Sequence, residues 1–295
     1  MSYMEVLSTR NNKVMLWRNC ERSCVVKSYK NKRRSLTFVK YTLLAAIGRE
    51  VPVEYRCAAD RRTFEQQTLQ FWRRHGFRAP AEVPVPNDIG GEGVVLAQES
   101  LAGPTLDALL NDPRVLLDDK WRTIVSVLGE MRERHSTALY MVEHRLIHYD
   151  SNMRNVILTQ DGPARVDFEM GHLQEKIDTS AAREVQKLSL EIANSLGGQH
   201  LPALVEKLCA NYGIRHVLRL TADKALRRPF AGHHFRRDTK RKALEPGLVT
   251  KCDLARAIQE FLAPSDKLSH LMIPTVSTAT AGIRMLHEPV SEAVG

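Results

Sequence analysis

The most constraining feature of this sequence is a short stretch at residues 146–169, LIHYDSNMRNVILTQDGPARVDFE. Its two apolar runs, VIL and ARV, are separated by the residues TQDGP, and the Asp-Gly-Pro within it is strong turn chemistry. This pattern predicts a β-hairpin. A hairpin ties its two ends together, so we expect Asn155 at its start to lie close to Asp167 at its end, with Asp150 immediately upstream.

The side chains gathered at this hairpin are those that phosphoryl transfer requires. The amide oxygen of Asn155 and the carboxylate of Asp167 suit a hard cation such as Mg²⁺, which proteins bind through one or two carboxylates together with substrate phosphates. A further carboxylate, that of Asp150, can orient a hydroxyl and accept its proton. Phosphoryl transfer consists mainly of such positioning and charge neutralisation. The alternative reading is a polar turn with capping side chains.

Composition places the chain among ordinary globular proteins. Its 295 residues, 43% hydrophobic and 26% charged, are enough for one large domain or for two lobes that each bury a core. The formal net charge of +9 favours an anionic partner, which could be a nucleotide, a nucleic acid or an acidic membrane surface. A basic solvated surface explains the same charge equally well.

Cysteine usage and the apolar runs indicate where the protein works. The five cysteines are scattered and odd in number, with no Cys-x-x-Cys pair, so we expect reduced thiols in the cytoplasm rather than a zinc site or a disulfide framework. The N-terminal residues have no apolar signal core, and no apolar run reaches the length of about 18 residues that a transmembrane helix needs.

The sequence pattern changes from strand-like to mainly helical along the chain. The runs KVMLWRN and SCVVKSYK predict an antiparallel meander within the first 30 residues, and DRRTFEQQTLQFWRRHG predicts a helix capped by Asp60 and ended by Gly76. A long helical pattern runs from Asp118 to Leu139, and helical patterns dominate after residue 175. We therefore predict a β-rich lobe at residues 1–100 and a larger helical lobe at residues 101–295.

The hairpin stretch also carries a family resemblance. HYDSNMRN followed by VDFE resembles the catalytic loop, His-x-Asp-x-x-x-x-Asn, and the metal-binding Asp-Phe-Gly segment of the protein-kinase-like superfamily. The Asp-Phe-Glu form is similar to that of atypical kinases acting on small molecules and glycans. TFE, continued by LQFWRRHGFRAPAEV, is most similar to the lipopolysaccharide core kinase family, which phosphorylates heptose or Kdo. The resemblance implies an α+β, two-lobed kinase-like fold and covers residues 13 to 170.

The resemblance implies a role for each motif residue. VVKSYK is similar to the strand that carries the phosphate-binding lysine, here Lys27, and the following helix is similar to the one that carries its ion-pair partner, here Glu65. The remaining implied residues are the acceptor-orienting Asp150, a cation at Arg154 facing the transferred phosphate, Mg²⁺ ligands at Asn155 and Asp167, and hinge contacts to the adenine of ATP at Gln98, Glu99 and Ser100.

Several roles stay open at this stage. Arg154 is as well explained by a solvated loop arginine, His148 by a residue that orders the loop, and Glu169 either by a second metal ligand or by a substitution for the usual glycine. The segment STRNNK, where a phosphate-covering loop is expected, contains no glycine. Either Asn11 and Asn12 make the turn in left-handed conformations, or nucleotide binding is weak and the protein is a catalytically silent pseudokinase or scaffold.

The acceptor is the least determined part of the prediction. The resemblance favours a hydroxyl of a lipopolysaccharide core sugar, with an aminoglycoside-type small molecule and a protein as alternatives. An insert at residues 31–59 has a basic start and an apolar stripe at Leu36, Val39, Leu43 and Ile47. The stripe either packs on the small lobe or lies in the interface of an anionic membrane, which would place the protein at the inner face of the inner membrane. The basic cluster at residues 227–242 either binds an anionic substrate or solvates a helix end, and it lacks the interleaved stacking aromatics of a protein that binds single-stranded nucleic acid.

Overall fold

An antiparallel sheet forms the N-terminal part of the structure, which is a computed structural model. The structure describes residues 3–8, 12–20, 22–31, 53–54, 57–89, 93–171, 176–226, 242–243, 245 and 247–263. The sheet contains strands β1 (Tyr3–Ser8), β2 (Asn12–Arg18), β3 (Ser23–Tyr29) and β5 (Val94–Glu99), in the order β1-β2-β3-β5. All neighbouring strands in it are antiparallel, so the predicted meander is confirmed.

Alternation of side chains gives this sheet a buried face. Met15 and Trp17 of β2 lie two residues apart, as do Cys24 and Val26 of β3, so each pair faces the same side of the pleat. All four are buried and pack with Ala97 of β5 into a small apolar cluster. Lys27, which follows Val26 in β3, is thereby directed to the opposite face.

Helix α1 (Ala58–Arg74) lies against β3 and β5 and follows a two-residue strand, β4 (Val53–Glu54). Asp60 does not cap it: the helix begins two residues earlier, Asp60 lies in its first turn, and the Ala58 N–H donates to Asn31 Oδ1 at 2.9 Å instead. Gly76 follows the helix with a φ of +79°, a left-handed conformation that suits glycine and stops the helix as predicted.

The C-terminal part is helical. The predicted long helix is confirmed as α3, and the helices among the described residues are α2 (Leu106–Asn111), α3 (Leu117–Met141), α4 (Ile177–Leu196), α5 (Leu201–Lys207), α6 (Arg215–Leu226) and α7 (Lys251–Leu262). Short 3₁₀ turns occur at His144–Leu146, Met153–Asn155 and Gly198–His200, and a π-turn at Leu208–Tyr212. Fully buried side chains such as Ile124 and Leu128 of α3 and Leu188 of α4 form the centre of the larger core.

The hairpin predicted from residues 146–169 is present. Its strands are β6 (Val156–Thr159) and β7 (Gly162–Arg165), and the Val166 N–H donates to the Asn155 carbonyl at 3.1 Å, which extends the pairing to the open end. Gly103 supports the hairpin from outside, because a Cβ there would lie 2.0 Å from the Leu158 carbonyl oxygen. A last strand, β8 (Met170–Gly171), pairs with β4.

A buried carboxylate, Glu184 of α4, holds the segment before the hairpin in place. It accepts both Arg134 Nη1 at 3.0 Å and Nη2 at 2.5 Å, His135 Nε2 at 2.9 Å and the backbone N–H of His148 at 2.8 Å. Burial alone would raise the pKa of this carboxyl, but the Arg134 and His135 side chains outweigh it and hold the pKa well below its usual range. This one ionised carboxylate thereby connects α3 and α4 to the loop that precedes the hairpin and carries Asp150.

The fold class expected from the sequence is confirmed as α+β: a small antiparallel four-stranded sheet precedes a larger helical region. The expected division near residue 100 falls in the connection between β5 and α2. The apolar stripe of the insert and most of the basic cluster at residues 227–242 lie outside the described residues. In the described part of the chain, no helix combines the length and the apolar composition that crossing a bilayer requires.

The contacts of Glu184 with Arg134, His135 and His148 should contribute strongly to the stability of the folded protein. Because Glu184→Gln removes one of the two carboxylates that neutralise the buried Arg134 guanidinium, we expect it to lower the free energy of unfolding by about 3–5 kcal/mol, measured by urea denaturation. Glu133→Gln, which removes an exposed carboxylate from α3, is the control and should change the free energy of unfolding by less than about 0.5 kcal/mol. Equal effects of the two substitutions would contradict this role of Glu184.

Stability should also fall on mild acidification. Burial lowers the pKa of both His135 and His148 below the ordinary value of 6.5, so the unfolded chain binds more protons than the folded one below that pH. The stability they contribute is present above pH 6.5 and is lost as the pH falls through their folded-state pKa values. Melting temperatures at pH 7.5, 6.5 and 5.5 should decline, with a shallower slope for His135→Gln and an unchanged slope for the exposed control His216→Gln. A wild-type profile that is flat over this window would contradict the prediction.

Candidate active site

Lys27 lies at the centre of a group of carboxylates contributed by distant parts of the chain. Its ammonium is 2.9 Å from Glu65 Oε2 on α1, 2.5 Å from Asp167 Oδ1 just after the hairpin, and 2.5 Å from Glu169 Oε1. Burial would lower the pKa of Lys27, but the three carboxylates outweigh it and raise that pKa, so the lysine stays charged. Residues chosen from the sequence as a lysine, its ion-pair partner and a metal ligand therefore meet at one point.

Two further side chains hold Glu65, which is almost fully buried. Tyr29, two residues beyond Lys27 on β3, donates its hydroxyl to Glu65 Oε2 at 2.6 Å, and Gln98 Nε2 donates to Glu65 Oε1 at 3.2 Å. Burial, and then the charge of Glu65, raises the pKa of Tyr29 above its usual value, so it remains a donor. Tyr29 was not singled out from the sequence, although its position two residues beyond Lys27 places it on the same face of the strand.

Asp167 and Glu169 are two neighbouring carboxyls whose pKa values move apart. For Asp167, burial would raise the pKa, but contact with Lys27 outweighs it and lowers the pKa. For Glu169, burial prevails, and the pKa is raised despite Lys27 because Asp167 and Glu65 add their own negative charge. Asp167 is therefore the carboxylate that keeps its negative charge most firmly.

A buried arginine, Arg61 of α1, joins the third carboxylate to the start of β2. Its Nη1 lies 3.1 Å from Glu169 Oε2, and its Nη2 donates to Asn12 Oδ1 at 2.5 Å and to the Lys30 carbonyl at 2.7 Å. Asn12 also donates to Glu169 through Nδ2. Asn12 does not adopt the left-handed conformation considered for it: among described residues other than glycine, positive φ occurs at Val142 and Asp167. Asn11 lies outside the described residues.

Asp150 lies in the loop before the hairpin, between two partners. Asn155 Nδ2 donates to the Asp150 carbonyl at 2.9 Å and lies 3.5 Å from its Oδ2, and the ammonium of Lys187 on α4 is 2.5 Å from its Oδ1. Because the Asn155 amide nitrogen is used in this way, its oxygen is the atom left to ligate a cation. Lys187 was not singled out from the sequence, where it stands in an ordinary amphipathic helix 37 residues further on.

His148 orders the loop from within. Its Nε2 lies 2.8 Å from the Val166 carbonyl, which can only accept, so Nε2 carries the proton. Burial lowers the pKa of this imidazole and keeps it neutral. Phe168 and Trp72 pack edge-on against the same ring, with centroids 4.8 and 6.2 Å away. These contacts fix the segment on either side of Asp167 relative to the loop that carries Asp150.

The structure does not bring Arg154 to Asp150. Its side chain is 81% exposed and its Nε lies 3.3 Å from Asp107 Oδ2 on α2. The hinge contacts to adenine were expected from the backbone: Glu99 donates its backbone N–H to the Ala81 carbonyl at 2.8 Å, whereas Gln98 uses its side chain to contact Glu65. Of the three hinge residues expected to contact adenine, Ser100 is the one that follows the end of the strand.

The donor set at this site suits a divalent cation. Glu65, Asp167 and Glu169 each offer an oxygen, and these oxygens lie within 4.8 Å of one another. Glu65 is committed to Lys27 and Tyr29, whereas the Asp167 side chain is partly exposed. The three carboxylates exceed the two cations beside them, Lys27 and Arg61, by one negative charge when all are ionised. A hard cation with oxygen ligands fits this excess.

The backbone at Asp167 is in an uncommon conformation. Its φ is +67°, in the left-handed region that residues with a Cβ seldom occupy. Phe168, the next residue, is buried with its ring 4.7 Å from that of Trp72, and the contact with Lys27 engages the Asp167 side chain. The chain therefore turns sharply at Asp167, with the carboxylate directed to Lys27 and the following ring directed into the core.

Comparison with known proteins finds similarity among solved structures but not among protein families or curated proteins. No protein-family model matches the sequence, and no curated protein matches it. Among solved structures, the chain is similar to WaaP in complex with acyl carrier protein, at 14% sequence identity and a TM-score of 0.45. The similarity covers 81% of this chain and 87% of that one.

The buried contact between Lys27 and Glu65 should be energetically coupled. In a double-mutant cycle of Lys27→Met and Glu65→Gln, measured by urea denaturation, we expect a coupling energy of about 1–3 kcal/mol, because each single change removes an oppositely charged partner from a group that is buried. The exposed pair Arg122–Asp119, whose side chains are 79% and 45% exposed, is the matched control, with an expected coupling of about 0.5 kcal/mol or less. Coupling energies of the same size in the two cycles would argue against a special role for the Lys27 pair.

Proposed function

We propose that this protein is a kinase that transfers the γ-phosphoryl group of ATP to a hydroxyl. One observation carries the proposal: Lys27 contacts both Glu65 and Asp167, which stand 38 and 140 residues further along the chain. No local structural requirement brings these three residues together, and a buried cation with two carboxylates costs desolvation energy that packing alone does not recover. Such an arrangement is expected where phosphates and a metal ion must be positioned.

In this proposal each side chain has one task. Lys27, held by Glu65, binds the α- and β-phosphates, and Asn155 and Asp167 hold Mg²⁺, which supplies charge neutralisation on the phosphates when bound. Asp150 orients the acceptor hydroxyl and takes its proton. Lys27 must leave part of its contact with Asp167 when phosphates arrive. Because the pKa of Lys27 is raised, its side chain carries a positive charge when the phosphates bind.

For the acceptor we propose a hydroxyl of a lipopolysaccharide core sugar, which rests on the sequence resemblance. A small molecule of the aminoglycoside type and a protein hydroxyl are the alternatives. The basic start of the insert would bring the protein to the anionic inner face of the membrane, where such a glycolipid is reached from the cytoplasm. The net charge of +9 supports attraction to that surface.

A second candidate is a catalytically silent nucleotide-binding protein. It is favoured by the contact of Asn12 with Glu169, because this contact closes the start of β2 onto the carboxylates at the place where a glycine-rich loop would admit phosphates. The two candidates differ in turnover, and the closed phosphate entrance would also weaken nucleotide binding in the silent protein.

Two substitutions should affect phosphoryl transfer and Mg-ATP binding differently. Asp150→Asn should reduce phosphoryl transfer by about 10²-fold or more while leaving the Kd for Mg-ATP within about twofold, because its carboxylate acts on the acceptor. Asp167→Asn should weaken Mg-ATP binding as well, because it removes a metal ligand. Binding is measured by calorimetry, and turnover is measured with water, lipopolysaccharide core glycolipid, aminoglycosides and protein as acceptors.

The same experiment decides between the candidates. Asp161→Asn, at the exposed hairpin turn, is the control and should match the wild type in both measurements. A wild-type protein that binds Mg-ATP but transfers to none of these acceptors is the silent protein. Wild-type transfer rates in both Asp150→Asn and Asp167→Asn would rule out the kinase assignment.

A further inference from the structure

One face of α4 contacts the loop that carries Asp150 at three successive places. Glu184 accepts the backbone N–H of His148 at 2.8 Å, and Glu191 accepts the backbone N–H of Met153 at 2.8 Å. Lys187 lies between them and contacts Asp150, which likewise lies between those two loop residues. The helix positions are three and four residues apart, so they form one stripe along the helix. The stripe therefore runs parallel to the loop and contacts it along its length.

The middle contact of this stripe differs in kind from the other two. Glu184 and Glu191 bind backbone N–H groups and so fix the path of the chain, whereas Lys187 binds a side-chain carboxylate. The Lys187 and Asp150 side chains are 37% and 33% exposed, and ion pairs with such access to water contribute about 0–1 kcal/mol to stability. Folding of the loop does not require this contact.

We propose that Lys187 is the positioning residue for Asp150. This inference rests on the proposed kinase function and deepens it. The ammonium holds Asp150 Oδ1 at 2.5 Å, which leaves Oδ2, 3.5 Å from Asn155 Nδ2, to face the acceptor hydroxyl. An ammonium has three N–H donors, so the contact with Asp150 does not exhaust Lys187.

The transfer step then balances as follows. The acceptor oxygen forms a bond to the γ-phosphorus as the bond between that phosphorus and the β,γ-bridging oxygen breaks, and ADP leaves with the electron pair. The proton of the acceptor hydroxyl passes to Asp150 Oδ2. Lys187 fixes the carboxylate so that Oδ2, and not Oδ1, receives the proton, and its positive charge remains beside the carboxylate throughout.

The test uses the full-length protein, Mg-ATP and water as the acceptor, together with any acceptor that supports transfer. Lys187→Met should lower kcat by about 10²-fold, since misplacement of a reacting group by about 1 Å costs that much, and should leave the KM for ATP within about twofold. Lys187→Arg restores a cation at this position and should recover most of the lost kcat. Lys120→Met replaces a partly buried lysine of α3 and serves as the control with unchanged kcat.

The outcomes separate the two proposals. A wild-type kcat in Lys187→Met, with turnover present in the wild type, overturns the role of Lys187 and leaves the kinase assignment standing. A fall in kcat accompanied by an equal rise in the KM for ATP, or by a melting temperature far below that of Lys120→Met, shows a structural role and also overturns it. Absence of turnover in the wild type overturns the proposed function, and the Lys187 inference fails with it.

Discussion

The buried carboxylate of Glu184 is the interaction on which the rest of the structure depends. It brings the Arg134 guanidinium, the His135 imidazole and the His148 amide to one point in the core. Charges of this kind remain in a protein interior only when their hydrogen-bonding groups are satisfied, so this network leaves the elements little freedom to shift. Helices α3 and α4 and the Asp150 loop are therefore held in fixed positions relative to one another. The hairpin follows the loop directly, so its position is fixed with them.

A second arginine extends this rigidity toward the hairpin. Glu130 of α3 accepts Arg134 Nε at 2.7 Å and Arg165 Nη2 at 2.8 Å, and Arg165 is the last residue of β7. Burial would raise the pKa of Glu130, but the two arginines outweigh it and lower the pKa, so the carboxylate remains ionised. Asp167 stands two residues after Arg165. The distance between Asp167 and the loop that carries Asp150 is therefore fixed by the buried ion pairs of Arg134 and Arg165 as well as by the hairpin.

The sequence predicted those parts of the molecule that depend on local chemistry. The hairpin at residues 156–165 was predictable because turn residues separate two short apolar runs, and the long helix α3 because its apolar residues recur at helical spacing. Contacts between residues far apart in the chain leave no such local pattern. Arg61 and Lys187 each stand in helices where an exposed basic residue is the ordinary expectation, and only the packing of those helices places them against Glu169 and Asp150.

The left-handed backbone at Asp167 has a consequence for how this chain can change. Aspartate tolerates such a φ better than most residues with a Cβ, and glycine adopts it without strain. Substitution by glycine would therefore relax the backbone and at the same time remove the carboxylate that contacts Lys27. Aspartate at this position combines an uncommon backbone conformation with a negative charge beside Lys27.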